Sequence, residues 1–259
     1  MASPAPTTTP TLPDGLRALG LRRTAEDLAD FLARATRSRW SPAVLLEELV
    51  RAEAQDRARR SLERRLARAR LGRFKPMADF EWTWPKAIDR DAVERVLALG
   101  FLESGSNVLL AAAQGLGKTM LAKNIAHQAV LQGHSVLCVT AADLLLDLGG
   151  QETARALERR LRHYAEPRLL AIDELGYLTY DNRAADLLFQ VVNRRYERRS
   201  LLVTTNLAFK DWGTIFPNAA CVTALIDRLT HHAEIITITG ESYRRREAEA
   251  AQKSRRSTS

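Results

Sequence analysis

The sequence predicts an α/β protein: a five-stranded parallel sheet flanked by helices, preceded by a small all-α N-terminal domain. Three observations carry this. Five short apolar runs recur after residue 106, separated by helix-length segments, which is the texture of βαβ units. The first run leads straight into a glycine-rich turn and a helical pattern. The residues from Leu16 to about Leu71 show helical periodicity.

Taken in order, residues 1–13 are rich in Pro and Thr and read as disordered. They contain neither a basic start nor an apolar core, so a secretory leader is not expected. No run approaches the ~18 apolar residues of a membrane span, and the expectation is a soluble, cytoplasmic protein without a membrane partner. Residues 14–73 form the predicted helical domain. Ser41-Pro42 before AVLLEELV reads as an N-cap with proline at the first helical position. The following AEAQDRARRSLERRLARARLGRFK sets Ala54, Ala58, Leu62 and Leu66 on one i+4 stripe. Between Arg51 and Lys75 there are ten Arg/Lys against three acids, Glu53, Asp56 and Glu63. That segment is either a solvated helix face or a surface that contacts phosphates or a partner.

Phe74–Pro85, FKPMADFEWTWP, reads as an aromatic linker whose rings either pack on the core or stack on bases. Residues 86–246 carry the α/β pattern. The predicted strands are NVLLAA (107–112), SVLCV (135–139), RLLAI (168–172), LLVTT (201–205) and IITIT (235–239). A basic tail, 247–259, follows Arg244, Arg245 and Arg246 and includes Lys253, Arg255 and Arg256.

Apolar content of 46% is ordinary for a globular chain, but the formal net charge is +8. A basic balance points to an acidic partner, most often nucleic acid. Arg194, Arg195, Arg198 and Arg199 read as a second basic cluster for it. The two cysteines, Cys138 and Cys221, lie far apart and form no C-x-x-C, so neither a disulfide framework nor a structural metal is expected. His231-His232 are adjacent and would diverge on a helix or strand.

The stretch AAAQGLGKTM, Ala111 to Met120, is the strongest local signal. It satisfies the strand–turn–helix context of a phosphate-binding loop. Val108-Leu109-Leu110 is the strand, Gln114 to Gly117 the turn, and KTMLAKNIAHQAVLQGH the helix, with Leu121, Ile125 and Ala129 on one stripe and Gly133 as its stop. A phosphate there meets unpaired N–H groups and the positive helix end. The cradle residues are Gln114, Gly115, Leu116, Gly117, Lys118, Thr119 and Met120. Lys118 would reach the β- and γ-phosphates and the Thr119 hydroxyl would hold Mg²⁺. The usual motif has a glycine where this chain has Ala112. That position is the strand's end, where a methyl is tolerated; the glycines that must approach phosphate, Gly115 and Gly117, are present.

Two further strand ends join it. RLLAIDEL places Asp173 and Glu174 after an apolar run. Asp173 could hold the Mg²⁺, and Glu174 could orient and polarise an attacking water. LLVTTN ends in Asn206, whose amide could hold that water or the γ-phosphate.

Together these residues resemble the AAA+ ATPases, and within them the IstB-like helpers of bacterial transposition, related to the helicase loader DnaC. The resemblance runs from about Phe74 to Arg246 and rests on GLGKT, LLAIDELGYL, LLFQVVNRRYERRSLLVTTNLAFKDW and ALIDRLTHHAEIITITGESYR. It implies a Walker A loop at Gly115, Gly117, Lys118 and Thr119, a Walker B pair at Asp173 and Glu174, and sensor 1 at Asn206. Arg228 matches the arginine finger that completes a neighbouring subunit's ATP site. About 19 residues follow Gly240, too few for the helical lid of many AAA+ proteins, so Arg244 is either a sensor 2 residue or an exposed arginine. The implied function is an ATP- and Mg²⁺-dependent ATPase that binds double-stranded DNA, forms a homo-oligomer and assists a transposase. The alternatives are a DnaC-like helicase loader and a DNA-binding adaptor with an inactive ATP site.

Overall fold

The computed structural model describes residues 11–177, 180–216, 220–243 and 245–246, with only the backbone at Phe209 and Lys210. The chain divides into two compact units, Met1–Arg64 and Arg65–Ser259. The division falls inside a long helix and not after residue 73, with Arg65 Nε donating to Val130 O of the second unit at 3.1 Å.

The first unit holds α1 (Leu12–Ala18), α2 (Arg22–Glu26), α3 (Leu28–Arg37) and most of α4 (Pro42–Ala69). Thr11, Leu12 and Pro13 fall in the stretch expected to be disordered, yet Thr11 caps α1 in a capping box with Asp14 and Pro13 sits in the first turn. That short capping signal was hidden by the Pro/Thr-rich composition; residues 1–10 lie outside the described ones. Ser41 starts α4 as expected, its Oγ accepting from Val44 N at 3.4 Å. The expected apolar stripe is not the buried one. Ala54, Ala58 and Leu66 are exposed and Leu62 is half-buried, whereas Glu53 and Asp56 are buried. The reason is the partner: Glu53 accepts Thr24 N, a first-turn amide of α2, at 2.6 Å, and Asp56 pairs with Arg59 and Arg60. An acid at a helix N-terminus satisfies an orphan N–H and the dipole together.

The second unit contains α5 (Arg90–Leu97), α6 (Phe101–Ser104), β1 (Asn107–Ala112), α7 (Lys118–Leu131), β2 (Val136–Thr140), α8 (Ala141–Gly149), α9 (Ala154–Ala165), β3 (Leu169–Leu175), α10 (Asn182–Arg195), β4 (Ser200–Thr205), α11 (Val222–Thr230) and β5 (Ala233–Ile238). The strands form one parallel sheet in the order β2-β3-β4-β1-β5. The central β1 and β4 are apolar because helices cover both faces, and the edge strand β5 alternates as its exposure requires. All five predicted strands are present, and the fold is the expected one. No helix among the described residues is long and apolar enough to cross a membrane. Cys138 and Cys221 are free thiols.

The expected basic cluster at 194–199 is only partly a surface. Arg195 is fully buried. Its guanidinium donates to Tyr164 O, Ala165 O, Pro167 O, Arg168 O and Ser200 O, 2.6–3.4 Å away, and so ties the lead into β3 to the start of β4. Burial pulls it down to about 9, which leaves it protonated at neutral pH. Arg194 makes two bonds to Glu158, at 3.0 and 2.7 Å. Arg198 is exposed and Arg199 half-buried. Arg244 and the basic tail lie outside the described residues.

Candidate functional site

In an open parallel sheet the strands' carboxyl ends form the binding edge. Since β4 lies between β3 and β1, the residues ending these three strands arrive side by side. The turn after Ala112 leads into α7, whose N-cap is Gly117 with no side-chain capping bond. Its first-turn amides therefore face the turn without a side-chain acceptor. Gly115 and Gly117 are left-handed, with φ of +77° and +87°. A Cβ at Gly115 would stand 2.1 Å from Ser242 Oγ, and one at Gly117 2.9 Å from Phe80 Cε2. The turn must thus be bare backbone on two counts. Ala112, by contrast, is the last residue of β1, paired with Ile238, and needs no glycine conformation.

Lys118 Nζ folds back over the turn, donating to Ala112 O at 2.6 Å and Ala113 O at 2.8 Å. Behind it runs a continuous polar chain. The Thr119 hydroxyl donates to Asp173 Oδ1 at 3.2 Å, and Thr204 Oγ1 donates to the same oxygen at 2.5 Å. Thr204 Oγ1 in turn accepts Glu174 N at 2.9 Å. A bulge between Ile172 and Leu175 interrupts the register with β4, and Glu174 occupies the left-handed region at φ 62°. Left-handed backbone costs a non-glycine residue about 1–2 kcal/mol; the Thr204 bond holds it there and turns the Glu174 side chain out of the sheet to an exposed position. Asn206 follows β4, and its Oδ1 is buried without a hydrogen-bond partner.

The turn opens on a cavity of about 340 Å³, lined by Gly115 to Met120 and Glu174 and walled by Phe74, Phe80, Trp84 and Tyr243. The volume lies within the range of small-molecule sites, roughly 300–1,000 Å³. The sequence reads 74–85 as a linker whose rings pack on the core or stack on bases and gives no sign that they wall this turn, nor that Tyr243 joins them. The wall is tied shut by Tyr243 N donating to Gly115 O at 2.9 Å and Trp84 Nε1 to Glu241 O at 2.9 Å. Nothing local in FKPMADFEWTWP places it against a loop some 30 residues away; only the fold does. Asp173 lines a neighbouring cavity of about 600 Å³ with Lys123, Cys138 and Arg160. Burial pushes the Cys138 thiol up to about 12, which makes it inert there.

Neither Gln114 nor Asn206 lines the first cavity; Gln114 precedes Gly115 in the turn and Asn206 follows β4. Arg228 is not brought to it at all. The Arg228 carbonyl accepts Asn107 Nδ2 at 3.3 Å, at the start of β1, whereas the cradle follows its end. Five strand steps separate the two, about 17 Å. The Arg228 guanidinium rests on the Phe189 ring, 4.7 Å from its centroid, and near Tyr196 at 5.8 Å.

The model of the IstB-like ATP-binding protein family matches residues 15–251. The chain belongs to this family. It is 39% identical over 199 residues, 77% of this chain and 75% of the other, to an ATP-binding protein of insertion sequence IS21 from Pseudomonas aeruginosa. It is 32% identical over 233 residues, 90% and 93% of the two chains, to the corresponding protein of insertion sequence IS232 from Bacillus thuringiensis subsp. berliner. Among solved structures, DnaI shares the fold with a TM-score of 0.51 at 19% identity, over 70% of this chain and 94% of that one. The family is one of ATP-binding proteins, and the cradle between β1 and α7 is the candidate ATP site.

Proposed function

We propose that the chain is a Mg²⁺-dependent ATPase that assists a DNA transposase, with each ATP site completed by a second copy. The observation that carries this is the chain from Thr119 through Asp173 and Thr204 to Glu174 at the head of the cradle. The donor set fits a small hard cation, since both Thr119 and Asp173 offer oxygens. Mg²⁺ held there would neutralise charge on the phosphate oxygens.

Lys118, already positioned over the turn, exchanges its two carbonyl partners for the β- and γ-phosphates. The first-turn amides of α7 hold the phosphate oxygens. Phe80, Trp84 and Tyr243 receive the base. Glu174, turned out by the bulge, orients and polarises the attacking water. Asn206 has an unpaired buried acceptor, which costs about 1–3 kcal/mol and suits a group that fixes that water. Arg228, about 17 Å of strand from its own cradle, would serve a neighbour's γ-phosphate and not its own. The names of the relatives, which place them in insertion sequences, support a transposase as the client. Exposed Arg57 and Arg64 in the first unit, and Arg68, Arg70 and Arg73 in the second, supply cations for double-stranded DNA. If they contact phosphates, log affinity falls linearly with log salt, at about −0.9 per phosphate.

The test is a set of three variants. Glu174→Gln retains ATP binding and lowers turnover by roughly 10²-fold or more. Lys118→Ala loses binding. Arg228→Ala binds ATP but hydrolyses poorly, and mixing it with Lys118→Ala restores activity. Absence of rescue on mixing counts against a shared site.

A further inference from the structure

We propose that Glu197, His231 and His232 form a binding site for a transition-metal ion of the zinc class, at the foot of the sheet opposite the phosphate cradle. Each contributes one ligand atom, and these atoms lie within 4.8 Å of one another. It is the one such group among the described residues.

The ligands come from two helix-to-strand turns. Glu197 lies between α10 and β4, and His232 between α11 and β5. Adjacent histidines would diverge on a helix or strand, but this pair sits on neither. His232 is left-handed at φ 54°, which swings its ring to the same side as His231, centroids 3.8 Å apart. Glu197 is left-handed too, at φ 55°. Two strained non-glycine residues, at about 1–3 kcal/mol each, therefore supply two of the three ligands.

The surroundings enforce both turns. Buried Asn107 donates its backbone N–H to His232 O at 3.2 Å and its Nδ2 to Leu229 O at 3.1 Å, and its Oδ1 accepts Leu201 N at 3.0 Å. One side chain thus pins the end of α11, the approach to β5 and the start of β4. The Tyr196 hydroxyl lies 2.6 Å from His231 Nδ1 and its ring stacks on the imidazole at 5.7 Å. These contacts hold the imidazole in place, and an ion bound at Nδ1, the nitrogen 3.8 Å from Glu197 Oε1, would displace the Tyr196 hydroxyl. All three ligand residues are exposed, so an ion can enter.

Two imidazoles and a carboxylate are a donor set for Zn²⁺, Co²⁺ or Ni²⁺, with a fourth position left for water. Mg²⁺ prefers oxygen ligands alone, so the site is chemically separate from the one at Thr119 and Asp173. Tyr196 lies beneath Arg228 as well, and an ion here would stiffen the turn carrying that platform.

The experiment is a Co²⁺ titration of the full-length protein without a polyhistidine tag, followed by visible absorption. One saturable equivalent is expected, displaced by Zn²⁺ and not by excess Mg²⁺. Zn²⁺ should raise the melting temperature. Replacing a ligand should weaken binding by about 100-fold, at least the loss seen for outer-sphere changes. His232→Asn suits the test because asparagine tolerates the left-handed turn, so circular dichroism should stay native; Glu197→Gln and His231→Ala give independent readings. Wild-type binding in these variants overturns the proposal, as does the absence of saturable binding. So does loss of the Co²⁺ signal in Asp173→Asn, which would move the ion to the nucleotide site.

Discussion

Thr204→Val separates the architecture of the site from its chemistry. Thr204 is 1% exposed, and its hydroxyl bridges Asp173 Oδ1 and Glu174 N. Valine keeps the shape and removes both bonds. A hydrogen bond to an ionised group contributes about 1.5–3 kcal/mol, and a buried amide left unpaired costs about 1–3 kcal/mol. The added methyl offsets part of this, so the net loss is about 2–4 kcal/mol. For a unit of this size each kcal/mol moves the melting temperature by roughly 2–4 °C, giving a fall of roughly 5–15 °C. The functional effect should be larger. Without its acceptor, Glu174 has no reason to stay left-handed, and a carboxylate misplaced by about 1 Å can cost about 10²-fold in rate. ATP affinity, set by the cradle, should change little. Differential scanning calorimetry with steady-state ATPase assays and nucleotide titration reads all three. A kcat within about threefold of wild type, alongside the thermal loss, would refute the idea that Thr204 aims Glu174.

Ala112→Gly should leave ATP affinity within about threefold and lower stability by about 0.5–1 kcal/mol through strand entropy; a large gain in affinity would show that the methyl obstructs the loop. Arg195→Met should cost about 3–5 kcal/mol because several buried carbonyls lose their donor, whereas Arg198→Ala should stay within about 0.5 kcal/mol of wild type; urea denaturation of both distinguishes them. For Asp147, burial raises the carboxyl, but hydrogen bonds from Arg160 and Tyr164 outweigh it and hold the pKa below 3.8. Its stabilising contribution is full above the unfolded carboxylate pKa and fades as pH falls through the lower folded value. The stability gap between wild type and Asp147→Asn should therefore be constant near neutrality and shrink in acid; a gap that widens in acid contradicts the assignment.

The sheet was legible because buried parallel strands are unbroken apolar runs, and NVLLAA, RLLAI and LLVTT say so without tertiary information. The glycine turn was legible because its geometry demands bare backbone at Gly115 and Gly117, leaving a mark in the letters. Tertiary partners left none. Arg195 reads as surface charge until the carbonyls converging on it are seen. Glu53 and Asp56 read as solvated acids, yet they face inward to meet an amide and arginines. Phe80, Trp84 and Tyr243 enter the cleft from distant parts of the sequence, and the left-handed turn at His232 that brings two imidazoles together has no local signature beyond the histidines themselves.

Isothermal titration of the full-length chain with ATP, with and without Mg²⁺ and against Lys118→Ala, tests the central claim most directly. Saturable binding that Mg²⁺ strengthens and that Lys118→Ala abolishes is the expected result. No Mg²⁺-dependent binding up to millimolar ATP would contradict it.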